Sequence, residues 1–170
     1  MGYDVTMTRA GYELQAKLFA EGGIFTVTRV EVGSGIREPG TDPAELTQLV
    51  ERRAAATSTT PRREGCEVSL TVEYRSDLVE EELEEPFQIT EFGVFGQGTD
   101  GTEFLLLYGD LSDYPESAVP RKYGGCVRRY LIIEKRQMGS SLWTKSNSQP
   151  SQKLLPSCSP GIGIHLEGSW

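Results

Sequence analysis

Residues that could carry out chemistry are few and scattered in this 170-residue chain. There is one histidine, His165, and three cysteines, Cys66, Cys126 and Cys158, which lack the clustered spacing of zinc ligands. A Ser-His-Asp or Cys-His arrangement would have to use His165, with Cys126 or Cys158 as the nucleophile. We therefore predict no enzyme, metal site or cofactor, and we interpret the cysteines as reduced buried thiols rather than a disulfide framework.

A carboxylate pair is the enzymatic alternative that the composition leaves open. Glu91 would be its central member, because it lies between Thr90 and Phe92 inside an apolar segment. The structural alternative is that Glu91 pairs with a basic residue such as Arg29 or Arg129, or points to solvent at a strand edge. We favour this structural interpretation, and a Glu91→Gln variant with unchanged properties would exclude a hydrolase.

Two further motifs have weak functional interpretations. Asp110, Asp113 and Glu116 lie at three-residue spacing, but they lack the glycine and ligand order of a calcium loop, so we interpret them as turn residues. The segment Gly33-Ser34-Gly35 follows a strand, but it lacks the lysine of a phosphate-binding loop.

The most apolar part of the chain is a pair of segments, 86–96 and 103–109. Their aromatic and β-branched residues favour strands, and Asp100-Gly101 between them predicts a hairpin with a type I′ turn. That turn sets a register in which Phe95 faces Leu106, Val94 faces Leu107 and Gly93 faces Tyr108. Both faces of the hairpin are apolar, so the second face needs cover from this chain or from another copy of it.

The remaining pattern predicts an α+β fold, a mainly antiparallel β-sheet or sandwich with an N-terminal helix and a short second helix. The N-terminal helix is capped by Thr8 and ends near Glu21, before Gly22-Gly23. The short helix has Asp42 as its cap and ends near Val50. We expect further strands at 24–32, 53–60, 66–75 and 127–134, a turn at 61–65, and mostly loop at 109–125.

The composition changes abruptly after Glu134. Residues 1–134 hold 24 acidic and 13 basic residues, whereas residues 135–170 hold one acidic and four basic residues with eight serines. We predict one domain at 1–134 and a disordered Ser/Gly/Pro-rich tail at 135–170, whose composition suggests a foreign or out-of-frame segment.

The net charge of −8 argues against nucleic-acid binding, and no apolar run is long enough to cross a bilayer.

The order and spacing of several segments resemble the phage tail-collar fibre family, the N-terminal module of tail fibre proteins. The segments that carry this resemblance are Thr8-Arg9-Ala10-Gly11, 25–30 with Gly33-Ser34-Gly35, 42–50, 87–95, Leu107-Tyr108-Gly109 and Pro120. Together they cover roughly residues 3–134.

The resemblance implies a virion protein, made in the bacterial host cytoplasm, that attaches a tail fibre to the baseplate or tail tip, usually as a trimer. It brings no catalytic residues. Because closed C3 symmetry would bury one hairpin face of each subunit, we predict an assembly interface at Phe92, Val94, Phe104 and Leu106. The alternative is a carbohydrate-binding module for a host glycan, against which both tryptophans, Trp143 and Trp170, lie in the predicted tail.

Overall fold

The computed structural model describes residues 4–23, 26–65, 67–77, 82–135 and 164–168. These residues form one α-helix, α1 (Arg9–Glu21), and eleven strands. The strands are β1 (Asp4–Met7), β2 (Thr26–Gly33), β3 (Arg52–Ser58), β4 (Arg62–Glu64), β5 (Glu67–Arg75), β6 (Phe87–Ile89), β7 (Glu91–Gln97), β8 (Glu103–Asp110), β9 (Glu116–Ala118), β10 (Val127–Lys135) and β11 (Ile164–Gly168). None of the helices in these residues is long and apolar enough to span a membrane.

The main sheet curls into a half-barrel with the strand order β1-β8-β7-β2-β3-β5-β10-β11. Strand β4 pairs with β5 outside this path, and β6 and β9 form a separate two-stranded ribbon. All of these pairings are antiparallel. The predicted α+β fold with a mainly antiparallel sheet and an N-terminal helix is therefore confirmed.

Helix α1 begins where the sequence predicts, and its first turn is bonded to β8. The Thr8 hydroxyl accepts a hydrogen bond from the Gly11 amide at 3.0 Å, and the Thr8 amide donates to the Leu106 carbonyl at 2.9 Å. The same hydroxyl donates to the carbonyl of Leu105. Gly11 allows the close approach, because a Cβ at this position would lie 2.7 Å from the Leu106 carbonyl oxygen. Thr8 thus ties the helix to the sheet as well as capping it.

The central hairpin has the predicted register only in the half farther from its turn. Gly93 pairs with Tyr108 and Val94 with Leu107, as predicted, but Phe95 pairs with Leu105 rather than Leu106. A bulge at this point leaves Leu106 as the extra residue of β8.

The predicted type I′ turn of the hairpin is also wrong. No described residue other than glycine has a positive φ, so Asp100 does not adopt the conformation that this turn requires. The Gly101 amide instead donates to the Gly98 carbonyl at 3.1 Å, which closes a four-residue turn. Asp100 accepts from the Thr102 amide at 3.0 Å and stabilises the loop after the turn.

Two predicted elements differ from the structure between β2 and β5. The predicted helix from Asp42 to Val50 is a single 3₁₀ turn, Pro43–Glu45, although Asp42 caps it as expected by accepting from the Ala44 amide. The chain then leaves helical geometry, and Leu49 packs with Phe95, Leu105 and Tyr108. The predicted turn at 61–65 contains strand β4, which pairs with β5.

The predicted disordered tail, residues 135–170, falls mostly outside the described residues. Within it, Lys135 ends β10, and Ile164–Gly168 form β11 antiparallel to β10. Neither β11 nor β1 is predicted from the sequence. Strand β1 escapes prediction because four residues are too few for an alternation to stand out.

The main core lies between the strands of the half-barrel. Phe92 is fully buried there, and its ring stacks on Tyr130 with 5.2 Å between centroids. Gly109 is the cross-strand partner of Phe92, and a Cβ on Gly109 would lie 2.1 Å from that ring. The absence of a side chain at position 109 is what gives the Phe92 ring its place.

A Gly109→Ala substitution should lower the free energy of unfolding by about 2–3 kcal/mol, because the enclosed Phe92 ring has no room to move aside. Urea unfolding of the variant against the wild type measures this change. Gly101→Asn is the control, since a Cβ there meets no atom within 4 Å and asparagine tolerates its φ of 77°. Equal losses in the two variants would contradict the steric explanation.

Candidate functional site

The carboxylate of Glu91 is the most unusual polar group in the described core. Its side chain is 0% exposed, yet four groups donate hydrogen bonds to it. Oε1 accepts from the amides of Glu51 at 2.7 Å and Gly35 at 3.1 Å. Oε2 accepts from the Tyr108 hydroxyl at 2.9 Å and the Val50 amide at 3.0 Å. These bonds replace the water that a buried carboxylate loses.

Three of these donors belong to the two ends of one loop, residues 34–51. Glycines make the approach possible, because a Cβ on Gly33 or on Gly35 would lie 2.5 Å from Oε1 of Glu91. The loop ends also bond to each other, through the Ser34 amide and the Glu51 carbonyl at 3.0 Å. Glu91 therefore closes this loop and fixes its two ends to β7.

Thr90 reinforces the same attachment. The sequence analysis treats 86–96 as one strand arm, but Thr90 separates β6 from β7. Its amide donates to the Gly33 carbonyl at 3.0 Å, and its hydroxyl donates to the Gly35 carbonyl at 2.7 Å. The Leu111 amide donates to the Thr90 carbonyl at 2.8 Å. Thr90 thus binds the end of β2 and the start of the loop instead of continuing a strand.

The environment of Tyr108 suits a hydrogen-bond donor rather than an acid. Burial raises the pKa of Tyr108 far above its usual range, and the negative charge of Glu91 raises it further. The hydroxyl therefore keeps its proton and donates to Glu91. With all four donors in place, Glu91 has no coordination left for a substrate, which argues against its use as a catalytic carboxylate.

The prediction that Glu91 pairs with a basic side chain is wrong. Arg29 pairs with Glu31 and Glu103, and Arg129 pairs with Glu73. Glu91 instead uses backbone amides, which a sequence does not display. The sequence signal for these amide donors is Gly33-Ser34-Gly35. Its two glycines have no side chain and let a carboxylate approach the backbone.

A second polar contact fixes the middle of loop 34–51. Arg37 donates from Nη2 and Nε to Oδ2 of Asp110, at 2.7 and 3.1 Å, and from Nη1 to the Thr41 carbonyl at 2.6 Å. Burial alone would raise the pKa of Asp110, but hydrogen bonds from Ser112 and Arg37 hold that pKa below its ordinary value. The loop is thus attached to β8 as well as to β7.

Asp110 ends β8 and stabilises the turn that follows it, whereas Glu116, also predicted as a turn residue, begins β9 and pairs with Arg128. Oδ1 of Asp110 accepts from the Ser112 amide at 2.9 Å and from its hydroxyl at 2.6 Å, as expected for a turn residue. Asp110 is therefore occupied by Ser112 and Arg37. Among the described residues, no group of three His, Cys, Asp or Glu side chains could hold a metal ion.

The remaining reactive residues are not brought together by the described structure. The part-buried sulfur of Cys126, a free cysteine, accepts from the Val119 amide at 3.2 Å. His165 belongs to β11. Cys66, Cys158, Trp143 and Trp170 lie outside the described residues, so the structure has no bearing on their predicted roles.

The chain itself covers most of the predicted assembly interface. Phe92 and Val94 belong to the main core, and Leu106 is buried beneath α1. Phe104 remains 37% exposed. The second apolar face of the hairpin is therefore covered by this chain's own helix and loop, one of the two possibilities that the sequence leaves open. A charge at Phe92, as in Phe92→Asp, would disrupt the core of the protomer before it affected assembly.

Apolar side chains also project from loop 34–51. Ile36 is 66% exposed and Val50 is 48% exposed. Both lie next to groups that bind Glu91, because Gly35 precedes Ile36 and the Val50 amide donates to the carboxylate. Two large apolar residues are thus held outward on a loop whose ends are fixed.

A cavity of about 350 Å³ lies between α1 and the strands of the half-barrel. Its lining is apolar except for Gln15, and it includes Leu14 of α1, Leu70 of β5 and Ile132 of β10. Phe19 also lines the cavity and is 53% exposed, so the cavity reaches the surface beside the C-terminal half of α1. Its volume is in the lower part of the range for small-molecule sites.

Comparison with known proteins gives no relative. No protein-family model, no curated protein and no solved structure matches this chain. A functional proposal therefore depends on the geometry above and on the resemblance described from the sequence.

Replacing Glu91 with Gln should lower the free energy of unfolding by about 3 kcal/mol, because the new amide group would face donors and leave buried amides unpaired. Urea unfolding measures the change, and the exposed substitution Glu84→Gln should stay within about 0.5 kcal/mol of the wild type. A Glu91→Gln variant as stable as Glu84→Gln would contradict the anchoring role.

Proposed function

We propose that this chain is a structural protein of a phage virion, the proximal domain of a tail fibre that attaches to the baseplate or tail tip. The observation that carries the proposal is the hydrogen-bonded site of Glu91. It joins four of the segments on which the resemblance to tail-collar fibre proteins depends, namely Gly33-Ser34-Gly35, 42–50, 87–95 and Leu107-Tyr108-Gly109.

These segments therefore belong to one packed unit, as the proposal requires. Another of the quoted segments, Thr8 to Gly11, begins α1 and bonds to β8. The Gly109 of the resemblance gives the Phe92 ring its space. The residues that carry the resemblance thus have packing or hydrogen-bonding roles, as expected for a structural module that brings no catalytic residues.

The attachment surface is proposed to include Ile36 and Val50. Contiguous exposed apolar patches mark interaction sites, and Val50 lies against Gly35, the residue before Ile36. Here Glu91 and Arg37 fix the loop that bears them. A fixed loop loses little conformational entropy on binding, which favours affinity for a baseplate protein.

Trimer formation remains part of the proposal, with Phe104 as the contact. It is the one member of the predicted interface that is substantially exposed in the protomer.

A hydrolase that uses Glu91 is disfavoured by the four hydrogen bonds that the carboxylate already accepts.

Antibody labelling of phage particles, from a bacterial lysate that contains this protein, should mark the tail end where the fibres attach. A deletion strain should lose the label and the fibres, and wild-type protein should restore both. Ile36→Asp should fail to restore them, whereas Tyr123→Asp, at an equally exposed apolar residue, should succeed. Absence of the protein from purified particles would overturn the proposal.

Phe104→Asp should weaken the trimer at least about tenfold, because it places a charge in the contact. Sedimentation equilibrium measures the association, with Tyr114→Asp as the matched exposed aromatic. A wild type that stays monomeric at high concentration would remove self-association from the proposal and leave virion attachment untouched.

A further inference from the structure

We propose that the cavity beneath α1 binds one hydrocarbon chain that carries an anionic head group, such as a fatty acid. This inference is independent of the tail-fibre proposal, because it depends on the shape and lining of the cavity alone. It names a ligand class that nothing in the sequence motifs indicates.

The lining decides what the cavity can hold. Its side chains come from α1 on one side and from β2, β5, β7, β8 and β10 on the other, and nearly all of them are apolar. Water needs two to four polar partners to be stable in a protein interior, and this lining offers few. An apolar ligand is therefore the preferred occupant.

The dimensions favour a slender ligand. The residues of α1 that line the cavity extend from Gly11 to Phe19, which is about 12 Å along a helix at ~1.5 Å per residue. A volume of about 350 Å³ over that length gives a mean cross-section of about 30 Å². A single alkyl chain fits within this length and volume.

The strand register places one basic residue, Arg63, next to the cavity lining. Arg63 of β4 is the cross-strand partner of Val68 of β5, and directly opposed residues of an antiparallel pair lie on the same face. Val68 lines the cavity, as does Pro61, two residues before Arg63. Arg63 is exposed, and its Nε donates to the Gly65 carbonyl at 3.1 Å, which holds the guanidinium near this position. It is therefore suited to the carboxylate of a bound amphiphile.

The same ribbon offers matched control positions on its other face. Arg62 and Ser69 are directly opposed, next in sequence to Arg63 and Val68, and successive side chains of a strand point to opposite faces. A change at Arg63 or Val68 can therefore be compared with the same change one residue away, on the same strands and outside the cavity.

Isothermal titration with octanoate, decanoate and dodecanoate, below their micelle concentrations, tests the inference. Affinity should rise about fourfold for each added methylene that the cavity buries. Val68→Trp, which fills the cavity from a half-buried position, should weaken dodecanoate binding more than about tenfold, and Ser69→Trp should leave it within about twofold. Thermal melts establish that each variant is folded.

Arg63→Glu should weaken dodecanoate binding about tenfold, through loss of a charge-assisted hydrogen bond, and Arg62→Glu should change it less than about twofold.

Flotation with phosphatidylglycerol vesicles separates two sources of the same ligand chemistry. Vesicle binding that depends on Val68 identifies the ligand as a membrane lipid, and dodecanoate binding without vesicle binding identifies it as a free fatty acid. Undetectable dodecanoate binding, an affinity independent of chain length, or equal effects of Val68→Trp and Ser69→Trp would overturn the inference.

Discussion

One buried carboxylate holds together parts of the chain that are far apart in sequence. Three backbone amides and one phenolic hydroxyl donate hydrogen bonds to the Glu91 carboxylate. The bonds reach residues 40 to 56 positions away, at both ends of loop 34–51. Removing a partner from such a network is costly, because each buried group left unpaired loses both its water and its hydrogen bond. The loop, the hairpin and the exposed Ile36 and Val50 all depend on it.

The sequence predicts the local elements well and the long-range contacts poorly. The Thr8 cap, the alternation of β5 and the apolar hairpin follow from residue types at fixed spacing, and the structure has all three. The predicted hairpin register is wrong beyond Val94, because β8 has a bulge at Leu106. The carbonyl of Leu106 accepts a hydrogen bond from Thr8, which lies nearly a hundred residues earlier in the sequence. The short helix after Asp42 fails because packing of Leu49 and hydrogen bonds to Glu91 outweigh a weak local propensity.

The candidate site illustrates the same limit. Glu91 is recognisable in the sequence as an anomalous charge among apolar residues, but its partners are not, because backbone amides carry no sequence signature. Of the four residues in the predicted interface, Phe92, Val94 and Leu106 are buried within the protomer. What an apolar pattern does not reveal is whether the covering layer belongs to the same chain. Here α1 and loop 34–51 supply it, and Phe104 alone stays substantially exposed.

The rigid part of the molecule and the surfaces proposed for binding are formed by different residues. The polar network and the glycines beside it fix a frame, while the surfaces proposed for binding are loop 34–51, the hairpin end at Phe104 and the cavity under α1. This division supports a protein that assembles with partners rather than one that converts a substrate.

Native-state hydrogen exchange of the amides of Gly35, Val50 and Glu51 tests the anchoring role of Glu91 most directly. Loop amides exchange readily unless a stable bond protects them. If the carboxylate is the anchor, these three amides should exchange as slowly as core amides of β7, and all three should lose protection together when Glu91 is replaced. Exchange at the rate of the exposed amides around Gly40 in the wild-type protein would contradict the account.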